Sequence, residues 1–78
     1  MEKIYIYSST NYNIDAKTFN TIDAVTKFKR PYHPGIFAIA NKKEFNALYK
    51  TAKQANIQKP KEWAFNRLNM DGKILGIL

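Results

Sequence analysis

The absence of cysteine limits how this chain can be stabilised, because neither a disulfide bond nor a thiolate metal site can support the fold. A domain of 78 residues buries only about 60–65% of the surface that its unfolded chain exposes, so side-chain packing must supply the stability. The composition allows this, since 45% of the residues are hydrophobic and 14% are aromatic. We therefore expect one ordered domain over residues 1–78.

The first third of the chain predicts a strand or a hairpin, followed by a helix. Residues 3–8 are β-branched and aromatic, and their isoleucines and tyrosines alternate between two faces. Residues 14–19 can return as a second strand, although their apolar positions do not alternate cleanly. A helix is predicted over 21–30, with Asn20 or Thr21 as its N-cap and a proline directly after it.

The rest of the chain predicts two more helices and two more strands, which makes the class α+β. The continuous apolar run at 35–40 has the length of a buried strand. The helix predicted over 42–56 has Asn41 as its N-cap and an apolar stripe formed by Phe45, Leu48, Tyr49, Ala52 and Ala55. Residues 60–70 predict a helix, with a strand as the alternative. An apolar strand is predicted over 73–78, and it must be paired because an exposed apolar edge promotes aggregation.

From residue 21 onward the predicted order is helix, strand, helix, helix, strand. This is similar to a winged helix-turn-helix domain with one wing strand fewer. Residues 51–57 resemble the helix before the turn, with Asn56 where a glycine is common. Residues 64–74 resemble the end of the recognition helix and the start of the wing, where the family often shows apolar–x–x–Leu–x–x–acidic–Gly–x–Ile. The resemblance implies a DNA-binding domain whose helix 60–70 enters the major groove.

The net charge of +7 favours a polyanionic partner, either nucleic acid or an acidic protein surface. Eleven of the 13 basic residues are lysines, and the chain is also rich in Asn, Ile, Tyr and Phe. All five of these amino acids have A/T-rich codons, so a genome of low GC content would raise the lysine content without any role in binding. Both explanations of the charge remain open at this stage.

The DNA-binding hypothesis assigns basic and amide side chains to the contact. The resemblance places the residues after position 58 on a recognition helix and its wing, where they meet bases or phosphates. A lysine pair at the start of helix 42–56 can hold phosphate together with free backbone N–H groups. Glu62 would lie on the recognition helix and repel phosphate. The predicted nucleic-acid-binding residues are Lys42, Lys43, Lys59, Lys61, Asn66, Arg67 and Lys73.

A second hypothesis is a small protein-binding inhibitor or adaptor, such as a phage-encoded inhibitor of a host enzyme or defence complex. A domain of this size has difficulty covering both faces of a strand that carries tyrosines on its second face. Exposed tyrosines are frequent anchors of protein interfaces. The predicted interface residues are Tyr5, Tyr7, Tyr12 and Tyr32.

Catalysis and metal binding have little support in the sequence. His33 is the only histidine, and there is no cysteine or second histidine to complete a zinc site. The six carboxylates form no recognisable acid–base pair, and the three glycines form no phosphate loop. We therefore expect a non-catalytic protein with no cofactor, no metal and no small-molecule ligand.

The expected location is the cytoplasm. Residues 1–8 contain an acidic residue and only a short apolar stretch, unlike a signal peptide. No apolar run approaches the roughly 20 residues of a membrane span, so we expect no membrane partner. The expected partner is nucleic acid, double-stranded DNA in particular, and the size and composition suggest a phage or mobile-element origin.

Overall fold

A computed structural model describes residues 1–9, 15–29 and 35–78. In these ranges the strands are β1 (Lys3–Ser9), β2 (Lys17–Phe19), β3 (Gly35–Asn41) and β4 (Gly76–Ile77), and the helices are α1 (Ile22–Phe28), α2 (Lys42–Gln54) and α3 (Pro60–Met70). The predicted α+β class and the predicted order of elements are confirmed. Residues 60–70 form a helix and not the alternative strand.

The strands form one antiparallel sheet in the order β2-β1-β3-β4. β1 lies inside the sheet, where Tyr5 pairs with Phe19 of β2 and with Ile39 of β3. The antiparallel β1–β2 pair matches the predicted hairpin, although its connection, residues 10–14, lies outside the described residues. The C-terminal strand is shorter than predicted, but it is paired with β3 as expected.

Both faces of the sheet are covered by helices, and each face has its own core. On one face, Ile4 and Ile6 pack with Phe45 of α2 and with Phe65 and Leu68 of α3. The alternation of isoleucine and tyrosine in β1 explains this division, because successive side chains of a strand point to opposite faces.

On the other face, Tyr7 and Phe37 pack against Val25 of α1, with Phe19 and Phe28 around them. α1 therefore lies on the opposite side of the sheet from α2 and α3, which contact each other. From α1 onward the order α-β-α-α-β is the predicted one, but the three helices do not pack as one bundle.

The first two helices are capped by Thr21, one of the two predicted candidates, and by Asn41, the predicted cap. The Thr21 hydroxyl accepts a hydrogen bond from the Ala24 N–H at 3.2 Å, at the start of α1. The Asn41 side chain accepts from the Glu44 N–H at 3.1 Å, at the start of α2. Each side chain satisfies one of the backbone donors that a helix N-terminus leaves without a partner.

The cap of α3 comes from a distant residue. Lys59 occupies the N-cap position and makes no side-chain cap. Asp15, which precedes β2, accepts instead from the Glu62 N–H at 2.9 Å and from the Lys61 N–H at 3.4 Å. Its negative charge also suits the positive end of the helix dipole.

The ends of α2 and α3 are set by residues with left-handed backbone angles. Asn56 has φ 57° and Gly72 has φ 70°, a conformation that commonly ends helices. α2 therefore ends at Gln54, two residues before the predicted end, and Ala55 is exposed although it was predicted to belong to the apolar stripe. In residues 1–9, 15–29 and 35–78, no helix has the length and apolar character needed to cross a membrane.

Candidate nucleic-acid interface

Three of the seven predicted nucleic-acid-binding side chains are ion-paired. The pairs are Lys42–Glu2 at 3.2 Å, Lys73–Glu44 at 3.4 Å and Arg67–Asp71 at 3.6 Å. All three are accessible to solvent, where such pairs contribute only about 0–1 kcal/mol and are screened by salt. A phosphate group can therefore replace any of these carboxylates at little cost.

The other three carboxylates also have structural roles. Asp15 caps α3, and Asp23 lies in the first turn of α1, where a negative charge is favourable. The Ser8 hydroxyl donates a hydrogen bond to Glu62, with its Oγ 2.8 Å from Oε1. This contact directs the carboxylate of Glu62 toward β1, which reduces its expected repulsion of a phosphate approaching α3.

The outer side of α2 carries three exposed lysines, Lys43, Lys50 and Lys53, which we call the α2 face. They lie within about 80° of one another around the helix and extend over about 15 Å of its length. No carboxylate of the described residues pairs with any of them. Neutral exposed side chains lie among them, namely Asn46, Ala47 and Gln54, and the exposed Glu44 beside Lys43 is paired with Lys73.

Lys43 was among the predicted nucleic-acid-binding residues, whereas Lys50 and Lys53 were not. Their spacing from Lys43, at seven and ten residues, was sufficient to place them on one side of a helix. DNA contact was expected mainly on residues 60–70, which resemble a recognition helix, and not on the outer side of α2.

At the junction of α2 and α3, two lysines meet one aromatic ring. The Lys53 Nζ lies 5.0 Å and the Lys61 Nζ 5.8 Å from the centroid of the Tyr49 ring. The Phe45 ring stacks on Tyr49, with centroids 6.1 Å apart and an interplanar angle of 19°. We call this arrangement the Lys53–Tyr49–Lys61 cluster.

The outer side of α3 is less uniform. Asn66, Arg67 and Met70 are exposed there, and Trp63 is partly buried against the core. Lys61 points toward α2, and it lies about 140° around the helix from Asn66. The structure therefore does not bring Lys61 and Asn66 together on one reading face.

The predicted residues thus fall into separate groups. Lys42, Lys43 and Lys73 surround the first turn of α2, since Lys73 bonds to Glu44 there. Lys59 and Lys61 lie where α3 begins, near the last turns of α2. The α2 face extends from the first group to the second.

The tyrosines predicted for a protein interface differ in exposure. Tyr7 is 5% exposed and packs edge-on against Phe28, with ring centroids 5.0 Å apart. Tyr5 is half-buried and is the more accessible of the two. Tyr12 and Tyr32 lie outside the described residues.

Within residues 1–9, 15–29 and 35–78, no group of three or more His, Cys, Asp or Glu side chains could hold a metal ion. Comparisons with protein families, with curated proteins and with solved structures gave no match.

Proposed function

We propose that this protein binds double-stranded DNA without catalysing a reaction, and that the α2 face and the start of α3 form the contact surface. The observation that supports this is that the acidic and the basic side chains differ in how many of them have a partner of opposite charge or a hydrogen-bond partner. The carboxylates take part in caps, hydrogen bonds and ion pairs, whereas no carboxylate of the described residues pairs with the lysines on this surface. The lysines concerned are Lys43, Lys50, Lys53, Lys59 and Lys61.

The binding mode follows from the residue types. Lysine side chains contact phosphate as point charges, and DNA carries one negative charge per about 1.7 Å of its axis. The roughly 15 Å length of the α2 face therefore spans several phosphates. Affinity would come from release of counterions and would fall steeply with salt. Asn66 and Arg67 remain the side chains proposed to contact base edges, with Arg67 exchanging Asp71 for the DNA.

The test is the binding of a labelled random-sequence duplex, followed by fluorescence anisotropy from low to physiological salt. Replacing Lys43 and Lys50 by glutamine should weaken binding and reduce the slope of log K against log salt by about 1.8, because two phosphate contacts are lost. The matched control replaces Lys3 and Lys27 by glutamine. Both lysines are exposed on the α1 side of the molecule, and their replacement removes the same amount of positive charge.

The control variant should keep nearly the wild-type slope. Equal losses in the two variants would show that net charge, and not the α2 face, determines binding. No binding by the wild-type protein at low salt would reject the DNA-binding proposal.

Binding to another protein is a second candidate function, and exposed apolar side chains near β4 favour it. Ile36 is 46% exposed, Leu75 50% and Ile77 62%. Exposed apolar side chains at a sheet edge are stabilised when a partner covers them and removes them from water. This function predicts a stoichiometric complex that persists at salt concentrations that abolish DNA binding and weakens when Tyr5 or Ile77 is replaced.

A further inference from the structure

The Lys53–Tyr49–Lys61 cluster places two like charges against one ring without an opposite charge between them. The Tyr49 ring attracts each ammonium group, typically by about 0.5–1 kcal/mol at an exposed site. The two ammonium groups repel each other. No carboxylate of the described residues pairs with either lysine. An anion bound between them would relieve the repulsion.

The two lysines reach the ring from different elements. Lys53 belongs to the last turn of α2 and Lys61 to the first turn of α3. The backbone of each is held independently of the other side chain. Lys53 lies within a helix of 13 residues, and the Lys61 N–H is bonded to Asp15. The Tyr49 ring is itself stacked on the buried Phe45 ring, so the position of the ring does not depend on a ligand.

We propose that Lys53 and Lys61 bind one phosphate group together, with Tyr49 as the positioning residue that keeps both ammonium groups beside it. A phosphodiester has two non-bridging oxygens, and each can accept a hydrogen bond from one ammonium group. The inference rests on the proposed DNA binding where the phosphate belongs to a DNA backbone. A phosphate held this way contacts α2 and α3 at once, so it fixes the duplex relative to both helices.

The site differs from the rest of the α2 face in stoichiometry. Lys43 and Lys50 are seven residues apart, or about 10.5 Å along the helix, so each contacts a phosphate of its own. Lys53 and Lys61 share one. Replacing both should therefore change the salt dependence by one phosphate contact and not by two.

The first experiment uses inorganic phosphate as the probe, at constant ionic strength, with NMR detection of the Tyr49 ring and the lysine side chains. We expect a saturable shift of the Tyr49 resonances in the wild-type protein. The shift should be lost in Lys53→Gln and in Lys61→Gln and kept in the Lys43→Gln/Lys50→Gln control. No saturable shift, or the same shift in the Lys53 and Lys61 variants, would overturn the site.

The second experiment measures the salt slope of duplex binding. Lys53→Gln/Lys61→Gln should reduce the slope by about 0.9, against about 1.8 for Lys43→Gln/Lys50→Gln. Each single variant at Lys53 or Lys61 should change the slope by less than the double variant. Equal reductions of about 1.8 in the two double variants would show that the lysines act separately and would reject the shared site.

The two experiments separate this inference from the proposed function. A phosphate-dependent shift at Tyr49 in a protein that binds no duplex supports the site and rejects DNA binding. Duplex binding without any effect of Lys53 or Lys61 replacement rejects the site and leaves DNA binding supported by Lys43 and Lys50.

Discussion

At Gly35, the first residue of β3, the β1 strand leaves no room for a side chain. A Cβ atom at this position would lie 2.5 Å from the carbonyl oxygen of Ser8 and 2.6 Å from the Tyr7 ring. A carbonyl oxygen belongs to the backbone and cannot move aside without disturbing the β1–β3 pairing. The small size of glycine at Gly35, rather than its backbone freedom, is what the structure requires.

Replacing Gly35 by alanine should lower the free energy of unfolding by about 1–3 kcal/mol, because the new methyl group overpacks the site. Gly76→Ala is the matched control, since its Cβ would meet only the Ile39 Cδ1 at 3.7 Å. Urea unfolding of both variants measures the difference. A Gly35→Ala variant as stable as Gly76→Ala would contradict the close approach.

The residue-scale features that could be predicted are the local ones. Thr21 and Asn41 were identified as caps because a cap and its helix are adjacent in sequence. Asp15 was not assigned a role, since the helix that it caps begins 45 residues later and no sequence pattern connects them. Lys61 was assigned to a groove-facing position, whereas the structure places its side chain over Tyr49.

Among the elements, α3 depends most on a contact from elsewhere in the chain. Its own N-cap position provides no side-chain acceptor, and its first free N–H groups are bonded to Asp15. The Ser8–Glu62 hydrogen bond lies beside this cap. Both contacts hold the start of α3 against the β1–β2 part of the sheet.

Replacing Asp15 by alanine should destabilise the protein by about 1 kcal/mol, the usual loss for a removed cap. For a domain of this size the melting temperature should fall by roughly 4–8 °C. Glu2→Ala removes an equal charge from an exposed surface pair and serves as the control. Calorimetry compares the two variants, and equal melting temperatures would show that Asp15 is not an effective cap.

The element type was predictable where the apolar period and the capping residues agree, as in α2, whereas the sequence of α3 left a strand as the alternative. The ends of elements were less predictable, because a strand ends where its pairing with the neighbouring strand ends and a helix ends where a single residue takes a different backbone conformation. β4 covers only Gly76–Ile77 of the apolar run, since only these residues pair regularly with β3. α1 has seven residues, too few for stability alone, and its burial against Tyr7 and Phe37 explains why it forms.

On the scale of the whole molecule, positive charge is the dominant feature. The net charge is +7. The ion pairs of the described residues involve only two lysines, so for most lysines no paired carboxylate offsets the repulsion from other positive charges. Repulsion between like charges opposes the folded state, and salt screens it. The three exposed ion pairs are too weak to reverse this balance.

The melting temperature should therefore rise by roughly 2–4 °C between 10 mM and 150 mM sodium chloride, or about 0.5 kcal/mol. The Lys3→Glu/Lys27→Glu variant, whose charge is less positive, should show a smaller rise. Scanning calorimetry at both salt concentrations makes the comparison. A fall in melting temperature with salt would mean that ion pairs outweigh repulsion.

The assembly of the elements was the least predictable level. The order of elements was predicted correctly, but order does not determine on which face of a sheet each helix packs. Each helix lies on the side of the sheet whose β1 side chains it contacts. α2 and α3 pack against the isoleucines of β1, and α1 packs against Tyr7. The sequence therefore indicated a basic protein that binds a partner, but the positions of its basic side chains relative to one another could be read only from the structure.

The capping of α3 by Asp15 also bears on the order of events in folding. Asp15 and Glu62 are 47 residues apart, and Ser8 and Glu62 are 54 apart, so a long loop must close before either contact forms. Contacts of such high sequence separation slow folding and form together with the sheet, not before it. Because the Lys61 N–H is bonded to Asp15, Lys61 should take its final position over Tyr49 only when the sheet has formed, and phosphate binding at that site should disappear in the same transition as the tertiary structure.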